Sequence, residues 1–292
     1  MTNPRLTLPA DGGALVMGAG GLPKLVLRAP DGATAEAYLH GAHVTSWTPA
    51  GGGERLFLSA RSEFRAGVAI RGGIPVIFPQ FAGEGPLPKH GFARTSAWEL
   101  VAFWALGSGS AAATFRLIDS AATHAIWPHA FVAELTVSVG GPVLQVELAV
   151  TNAGPPPLAF TGALHTYLRV DDVRRVVVRG LRGTRYRDAA AGPAGRVDTD
   201  PELRIEGEID RVYVGAPTDV EVREPGIVTG VHATGFPDVV VWNPGAARGA
   251  ALPDLEPGGF ARMLCVEAAV VASPIRLGPG ERWAGAQRLT AG

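Results

Sequence analysis

Apolar and polar residues alternate along residues 143–152, VLQVELAVTN. Leu144, Val146, Leu148 and Val150 fall on one face, while Gln145, Glu147 and Thr151 fall on the other. A period of two marks a strand with one buried face. The preceding segment, 133–139, repeats the pattern with Leu135, Val137 and Val139, and Gly-Gly-Pro at 140–142 predicts a hairpin turn between them. Similar runs, bounded by Gly, Pro, Asn or Asp, occur at 24–28, 35–39, 55–59, 97–104, 112–118, 158–170, 174–179, 219–223, 226–232, 238–242, 262–271 and 282–289. Twelve or more strands with no long amphipathic helix predict an all-β chain. The expected architecture is a large antiparallel β-sandwich, folded as a single domain over residues 1–292. Residues 186–207 are the least regular and are expected to form a long loop. No internal repeat of fixed period is present.

Composition narrows the chemistry. The 292 residues are 47% apolar and 18% charged, which suits a folded protein with a large core. The formal net charge of −1 gives no general attraction for nucleic acid or anionic membrane, so an anionic ligand requires a few placed cations. One cysteine, Cys265, rules out an intrachain disulfide and a cysteine-built metal cluster. The opening residues, MTNPRLTLPADGG, lack the layout of a signal peptide, and no apolar run reaches the ~20 residues of a membrane helix. A cytoplasmic protein is expected. High glycine and proline (39 and 24), with abundant alanine and scarce lysine, look like the habit of a GC-rich genome, so alanine is not read as helix.

Four segments depart from ordinary strand or turn. In RGGIPVIFPQF, residues 71–81, a diglycine permits a tight turn or a close approach to a ligand, and Pro75 and Pro79 prevent regular pairing. Arg71 heads this stiff segment, either as a functional cation or as a solvated loop residue. LPKHGFAR, residues 87–94, places Lys89, His90 and Arg94 in one short stretch. Basic groups from two neighbouring loops suit a phosphate dianion, since each charge-assisted hydrogen bond contributes about 1.5–3 kcal/mol; a harmless basic surface is the plain alternative. In LAFTGALHTYLRV, residues 158–170, His165 shares a polar face with Thr161, Tyr167 and Arg169, as any half-exposed strand would allow. In RMLCVEAAVV, residues 262–271, Glu267 interrupts an apolar run. Either it faces outward from an edge strand or it is buried with a raised pKa, which would make it a useful base.

Other signals are weak. His40 and His43 would point to opposite faces of a strand, which is wrong for joint metal ligation. GAGG at 18–21 does not complete a nucleotide-binding glycine pattern. No nucleophile elbow, zinc-protease helix or P-loop is found, which counts against serine hydrolase, metalloprotease and NTPase readings.

Taken in order, GAHVTSW (41–47), LFLS (56–59), AIRGGIPVIFPQF (69–81), LPKHGFAR (87–94), LHTYLRV (164–170), EIDRVY (208–213), VVWNP (240–244) and MLCVE (263–267) resemble the aldose 1-epimerase superfamily. Within it they resemble the glucose-6-phosphate 1-epimerase branch, and the pairing of RGGIP with HGFAR is the specific element. The resemblance implies a galactose mutarotase-like β-sandwich with a sugar cleft across one sheet. It implies His165 and Glu267 as the catalytic pair, Arg71 and Arg94 holding the substrate through its phosphate, and Asp210 contacting the sugar. Lys89 stands where the family often has glutamine and would add to phosphate attraction. Gly245 stands where the family often has an aromatic residue, which predicts a more open wall near Asn243.

The implied reaction interconverts the α and β anomers of a hexose 6-phosphate. It needs a base at O1 and an acid at the ring oxygen, and no cofactor or metal. Glu267 as base and His165 as acid would each contribute about 10²–10⁴. The expected partner is a small-molecule sugar phosphate, with no nucleic acid or membrane, and the chain is expected to act as a monomer. Rival readings are a mutarotase of unphosphorylated sugars, a non-catalytic carbohydrate-binding protein, and a glycoside hydrolase or lyase, the hydrolase usually needing two carboxylates.

Overall fold

The computed structural model describes residues 12–106, 109–190 and 192–292; all but the last two residues of the segment read above for a leader, 1–13, lie outside the described residues. Alternation does what it predicts. Leu144, Val146, Leu148 and Val150 are each at most 1% exposed, and the strands Phe131–Gly140 and Val143–Asn152 pair through a turn with Gly141 at φ 56. They lie inside a nine-stranded sheet. Its order is Leu203–Arg204, Val177–Arg179, Asp219–Glu224, Ile227–Thr234, Arg282–Ala291, Val143–Asn152, Phe131–Gly140, Ser110–Ile118 and Glu99–Leu106. A four-stranded sheet is built from Gly13–Met17, Pro23–Arg28, Thr34–Tyr38 and His43–Thr48.

The third sheet carries the site. Its path runs Gly192–Val197, Arg185–Asp188, Ile209–Val214, Asp238–Asn243, Met263–Leu277, Leu158–Leu164 and Val76–Ile77, and Tyr167–Arg169 also pairs with Met263–Leu277. Both faces of this sheet are covered. Leu264, Val266, Ala268 and Val270 point into the main core, while Met263, Cys265, Ala269 and Val271 join Val212, Val240 and Trp242 in a second cluster on the opposite face. Glu267 belongs to that second face by its position in the alternation. An all-β sandwich is therefore the observed architecture, and the two α-helices among the described residues, Ala121–Ile126 and Gly245–Ala251, are short. No described helix is long and apolar enough to cross a membrane.

Three expectations need correction. Residues 55–59 form no strand and make only single bridges, Leu56 to Leu168 and Leu58 to Gly72. Residues 158–170 divide into Leu158–Leu164 and Tyr167–Arg169, because the His165 amide bonds to the Pro75 carbonyl instead of a ladder partner. The expected loop 186–207 contains a hairpin, Arg185–Asp188 with Gly192–Val197, and the short strand Leu203–Arg204. Buried Asp188 and Asp198 anchor that hairpin on Arg211, at 3.1 and 3.4 Å, and the guanidinium stacks over the Tyr186 ring at 4.3 Å. The Ala- and Gly-rich stretch AAAGPAG hides the period of two.

Phe78 joins the irregular 71–81 segment to the main core. It is fully buried and meets Phe92, Trp127, Phe131 and Phe160 edge-on, with ring centroids 5.3–6.1 Å apart. Phe78→Ala is expected to cost about 3–5 kcal/mol of stability, measured by urea denaturation, since so enclosed a site cannot collapse onto the void.

Candidate active site

The register of two central strands sets the site. Leu164 pairs with Ala268 and Tyr167 with Cys265. Carrying that register through the break places His165 directly across from Glu267, on the face opposite the main core. The His165 Nδ1 lies 3.3 Å from the Glu267 Oε1, with side chains only 10% and 1% exposed. The contact lacks hydrogen-bond geometry, and His165 Nδ1 and Glu267 Oε2 find no partner among the described residues. Glu267 thus sits in a central strand, not at an edge, and the face that alternation left as half-exposed is closed around His165.

The neighbouring cross-strand rows complete the face. Asp210 pairs with Trp242 and Trp242 with Cys265, while Val212 pairs with Val240 and Val240 with Glu267. Tyr167 stacks on His165 at 4.8 Å and 8°, and Trp242 meets the same imidazole edge-on at 5.9 Å. Above them opens a cavity of about 520 Å³, lined by His165, Glu267, Asp210, Arg71, Lys89 and His90 among others. Six of the seven residues singled out from sequence therefore meet in one place. Arg94 does not line the cavity. Its Nη2 donates to the Lys89 carbonyl at 3.3 Å, its buried Nε has no partner among the described residues, and its charge still reaches His90 and His165.

Loops supply the remaining walls. The diglycine turn after Arg71 approaches protein backbone, not a ligand: a Cβ on Gly73 (φ 62) would lie 2.1 Å from the Val44 carbonyl oxygen. The His43 Nε2–H donates to the Gly72 carbonyl at 2.7 Å and holds this turn in place. Arg71 is fixed by Asp254, at 3.0 and 3.1 Å, and donates to the Tyr167 hydroxyl at 2.9 Å. His90 takes a left-handed backbone (φ 68). Its Nδ1 accepts from the Ala82 amide at 3.3 Å, which leaves the proton on Nε2. Arg187 and Glu84 pair across the mouth at 2.6 Å, linking the 185–197 hairpin to the loop before Lys89. Gly245 does not open the wall as expected. It is buried at φ 63, where a Cβ would come within 2.7 Å of the Glu208 amide nitrogen, and Trp242, Arg248 and Leu252 close that side.

Burial governs the protonation states. It pushes His165 well below its ordinary value, with His90 and Arg71 adding to the effect. It pushes Glu267 well above the usual carboxylate range, helped by the Asp210 carboxylate. Burial thus disfavours the charged form of both partners. Burial also raises Asp210 and lowers Lys89, the latter further depressed by Arg248. His165, Cys265 and Glu267 each present a ligand atom within 4.8 Å of the others. Cys265, however, is fully buried outside the cavity lining, and burial holds its thiol protonated. Only two of these three groups face the cavity.

Sequence reasoning missed Asp254, Arg248, Arg187, Asp188 and the positioning role of Tyr167. Tyr167 carried a signal, since it shares the polar face with His165. Asp254 carried none, being 183 residues from Arg71.

Comparison with known proteins gives the family and the fold. The family model for aldose 1-epimerase matches residues 23–290. The chain is 36% identical to a protein of Cenchrus ciliaris described as a "Putative glucose-6-phosphate 1-epimerase", over 97% of this chain and 89% of that one. A crystal structure of a "putative mutarotase" from Salmonella typhimurium is 30% identical, with a TM-score of 0.86 over 96% of both chains. A galactose mutarotase-like protein from Clostridium acetobutylicum, 14% identical, shares the fold alone, with a TM-score of 0.73 over 96% of this chain and 97% of that one.

Burial lowers His43 to about 4 and His90 to about 3. Both imidazoles are neutral in the folded protein at pH 5.5, where an unfolded chain's histidines, near 6.5, take up protons. Each contribution to stability is present above pH 6.5 and lost as pH falls towards those folded values, at up to ~1.4 kcal/mol per pH unit for each histidine. Imidazole ¹⁵N spectra at pH 5.5 are expected to show both rings neutral with the proton on Nε2. A midpoint near 6.5 for either ring would contradict the assignment.

Proposed function

Because the chain belongs to the aldose 1-epimerase family, we propose that it is an isomerase interconverting the α and β anomers of a hexose 6-phosphate, glucose 6-phosphate foremost. The observation that carries this is the His165–Glu267 contact at 3.3 Å on the inner wall of a sugar-sized cavity. Anomer exchange needs O1 to lose a proton while O5 gains one. Two facing groups with one proton between them can do both.

The protons balance as follows. In the empty site Glu267 carries the proton and His165 is neutral, Nε2 bearing its hydrogen. When the closed sugar binds, O1–H donates towards the carboxylate and O5 accepts from the imidazole. Both hydrogen bonds favour the ion-pair form, so the Glu267 proton passes to Nδ1. Glu267 then takes the O1 proton as Nε2 gives its proton to O5, and the C1–O5 bond breaks. The open-chain aldehyde rotates about C1–C2. Reclosure on the other face of C1 returns a proton from Glu267 to O1 and from O5 to Nε2, and Nδ1 passes its proton back to Glu267. The same groups serve both directions.

The remaining residues orient the sugar. Asp210 is placed to accept from a ring hydroxyl, and the His90 Nε2–H to donate to one. Trp242 and Phe81 supply flat apolar walls for the ring's carbon face, and the basic rim suits the phosphate.

Magnetisation-transfer NMR of glucose 6-phosphate, with free glucose and galactose alongside, tests the reading. The native chain is expected to accelerate exchange of the phosphorylated sugar preferentially. Glu267→Gln and His165→Ala are each expected to lower kcat by about 10²–10⁴ with the fold retained. No acceleration of any sugar would leave a binding protein in its place, and equal acceleration of free sugars would move the substrate to unphosphorylated aldoses.

A further inference from the structure

In a regular antiparallel ladder, two residues facing each other as a bonded pair exchange both of their backbone bonds. The register carried through the break sets Thr166 opposite Val266, one peptide from each member of the His165–Glu267 pair. Only half of that exchange is made. The Val266 amide donates to the Thr166 carbonyl at 3.1 Å, whereas the Thr166 amide turns back to the Leu164 carbonyl at 2.9 Å. The Val266 carbonyl thus lacks its ladder donor, in a place where Val266 and Thr166 are both fully buried. Left unmet, a carbonyl there would carry the full penalty of its lost hydration.

Gln287 supplies the missing donor from the facing nine-stranded sheet. It stands in Arg282–Ala291, between Val146 and Ala233 of the neighbouring strands, and is 1% exposed. Its Nε2 donates to the Val266 carbonyl at 3.0 Å, and its Oε1 accepts from the Thr166 hydroxyl. Reversing the carboxamide would set oxygen against oxygen at Val266, so the bonds fix one orientation. One side chain therefore ties the break that carries His165 to the strand that carries Glu267. A core amide that only satisfied a carbonyl would not require the second contact. Neither Thr166 nor Gln287 lines the cavity, so any effect on the reaction is carried through the backbone.

We infer, resting on the anomer-exchange reading, that Gln287 is a positioning residue: its carboxamide takes the place of a backbone peptide in the broken ladder and holds His165 and Glu267 at their facing distance. The His165 amide is committed to the Pro75 carbonyl, away from the Glu267 strand. Alignment of the pair then rests on the Val266–Thr166 bond and the two bonds of Gln287. Proton transfer depends steeply on such alignment, and a shift of about 1 Å can cost ~10²-fold in rate. Without the brace a single backbone bond spans the break, and the 3.3 Å separation changes while the walls that hold the sugar stay in place.

The experiment compares the native chain with three variants. Gln287→Met keeps the length and bulk of the side chain but neither bond, Thr166→Val removes the hydroxyl, and Thr166→Ser keeps it. The first readout is kcat and KM for glucose 6-phosphate by magnetisation-transfer NMR. The second, which needs no activity, is the imidazole ¹⁵N resonances of His165. Gln287→Met is expected to lower kcat about 10–10²-fold with KM within about twofold, and to move the His165 resonances. Thr166→Val is expected to act in the same direction by about threefold to tenfold, and Thr166→Ser to stay near native. Combining Gln287→Met with Thr166→Val is expected to cost no more than Gln287→Met alone, since both remove one network. If Gln287→Met does not fold, the two Thr166 variants decide the matter by the same readouts. Native kcat with unmoved His165 resonances would overturn the inference, even if the melting transition fell, and so would a loss that Thr166→Ser shares equally. A native chain that accelerates no sugar would overturn the anomer-exchange reading instead, while the His165 resonances would still report on the brace, so the two failures are distinguishable.

Discussion

Everything at this site depends on placing an imidazole and a carboxylate opposite each other between central strands and away from water. A carboxylate in such a place is costly to ionise and an imidazole costly to protonate. Burial therefore favours the uncharged form of each. In the proposed reaction a bound sugar shifts that balance, its O1 hydroxyl donating towards Glu267 and its ring oxygen accepting from the His165 Nε2–H.

The supporting structure preserves this arrangement by several weakly related means. Pairing of Tyr167 with Cys265 and of Leu164 with Ala268 sets the register. The break at His165 and Thr166 is tolerated because its backbone groups find other partners: the His165 amide takes the Pro75 carbonyl, and the Thr166 carbonyl takes the Val266 amide. The Thr166 hydroxyl is held by Gln287 from the facing nine-stranded sheet. Pro75, which looked like an obstacle to pairing, is thus an acceptor that keeps the break open. The chain Asp254–Arg71–Tyr167 then fixes the surface on which the imidazole lies.

Glu267 was legible in the sequence because it interrupts an apolar run, and His165 because it falls on the polar face of an alternating one. Alternation from Leu158 to Val170 assigns His165 to a face before any coordinates are seen, the face of Glu267 stayed open, and the resemblance to a known family supplied the expected roles. What stayed hidden has two physical origins. Side chains joined across long separations, Arg71 with Asp254 or Arg187 with Glu84, leave no local pattern, because the fold alone makes them neighbours. The Arg185–Val197 hairpin was invisible for another reason. Small residues fill it, and its stability comes from the Arg211 network beneath it. Gly245 shows the limit of reading a side chain's absence as open space, since there the backbone conformation requires it.

The His165–Glu267 pair is carried by the interior of a sheet, whereas the cations and the mouth are carried by loops, a short helix and an edge hairpin. The two parts differ in how freely they tolerate change. Altering a central strand by one residue would turn its whole face over. Rim segments accept substitution and insertion at little cost. A lineage built on this plan can therefore diversify in the sugars it accepts while inheriting one unaltered chemistry, much as a tool keeps its handle while the bit is exchanged.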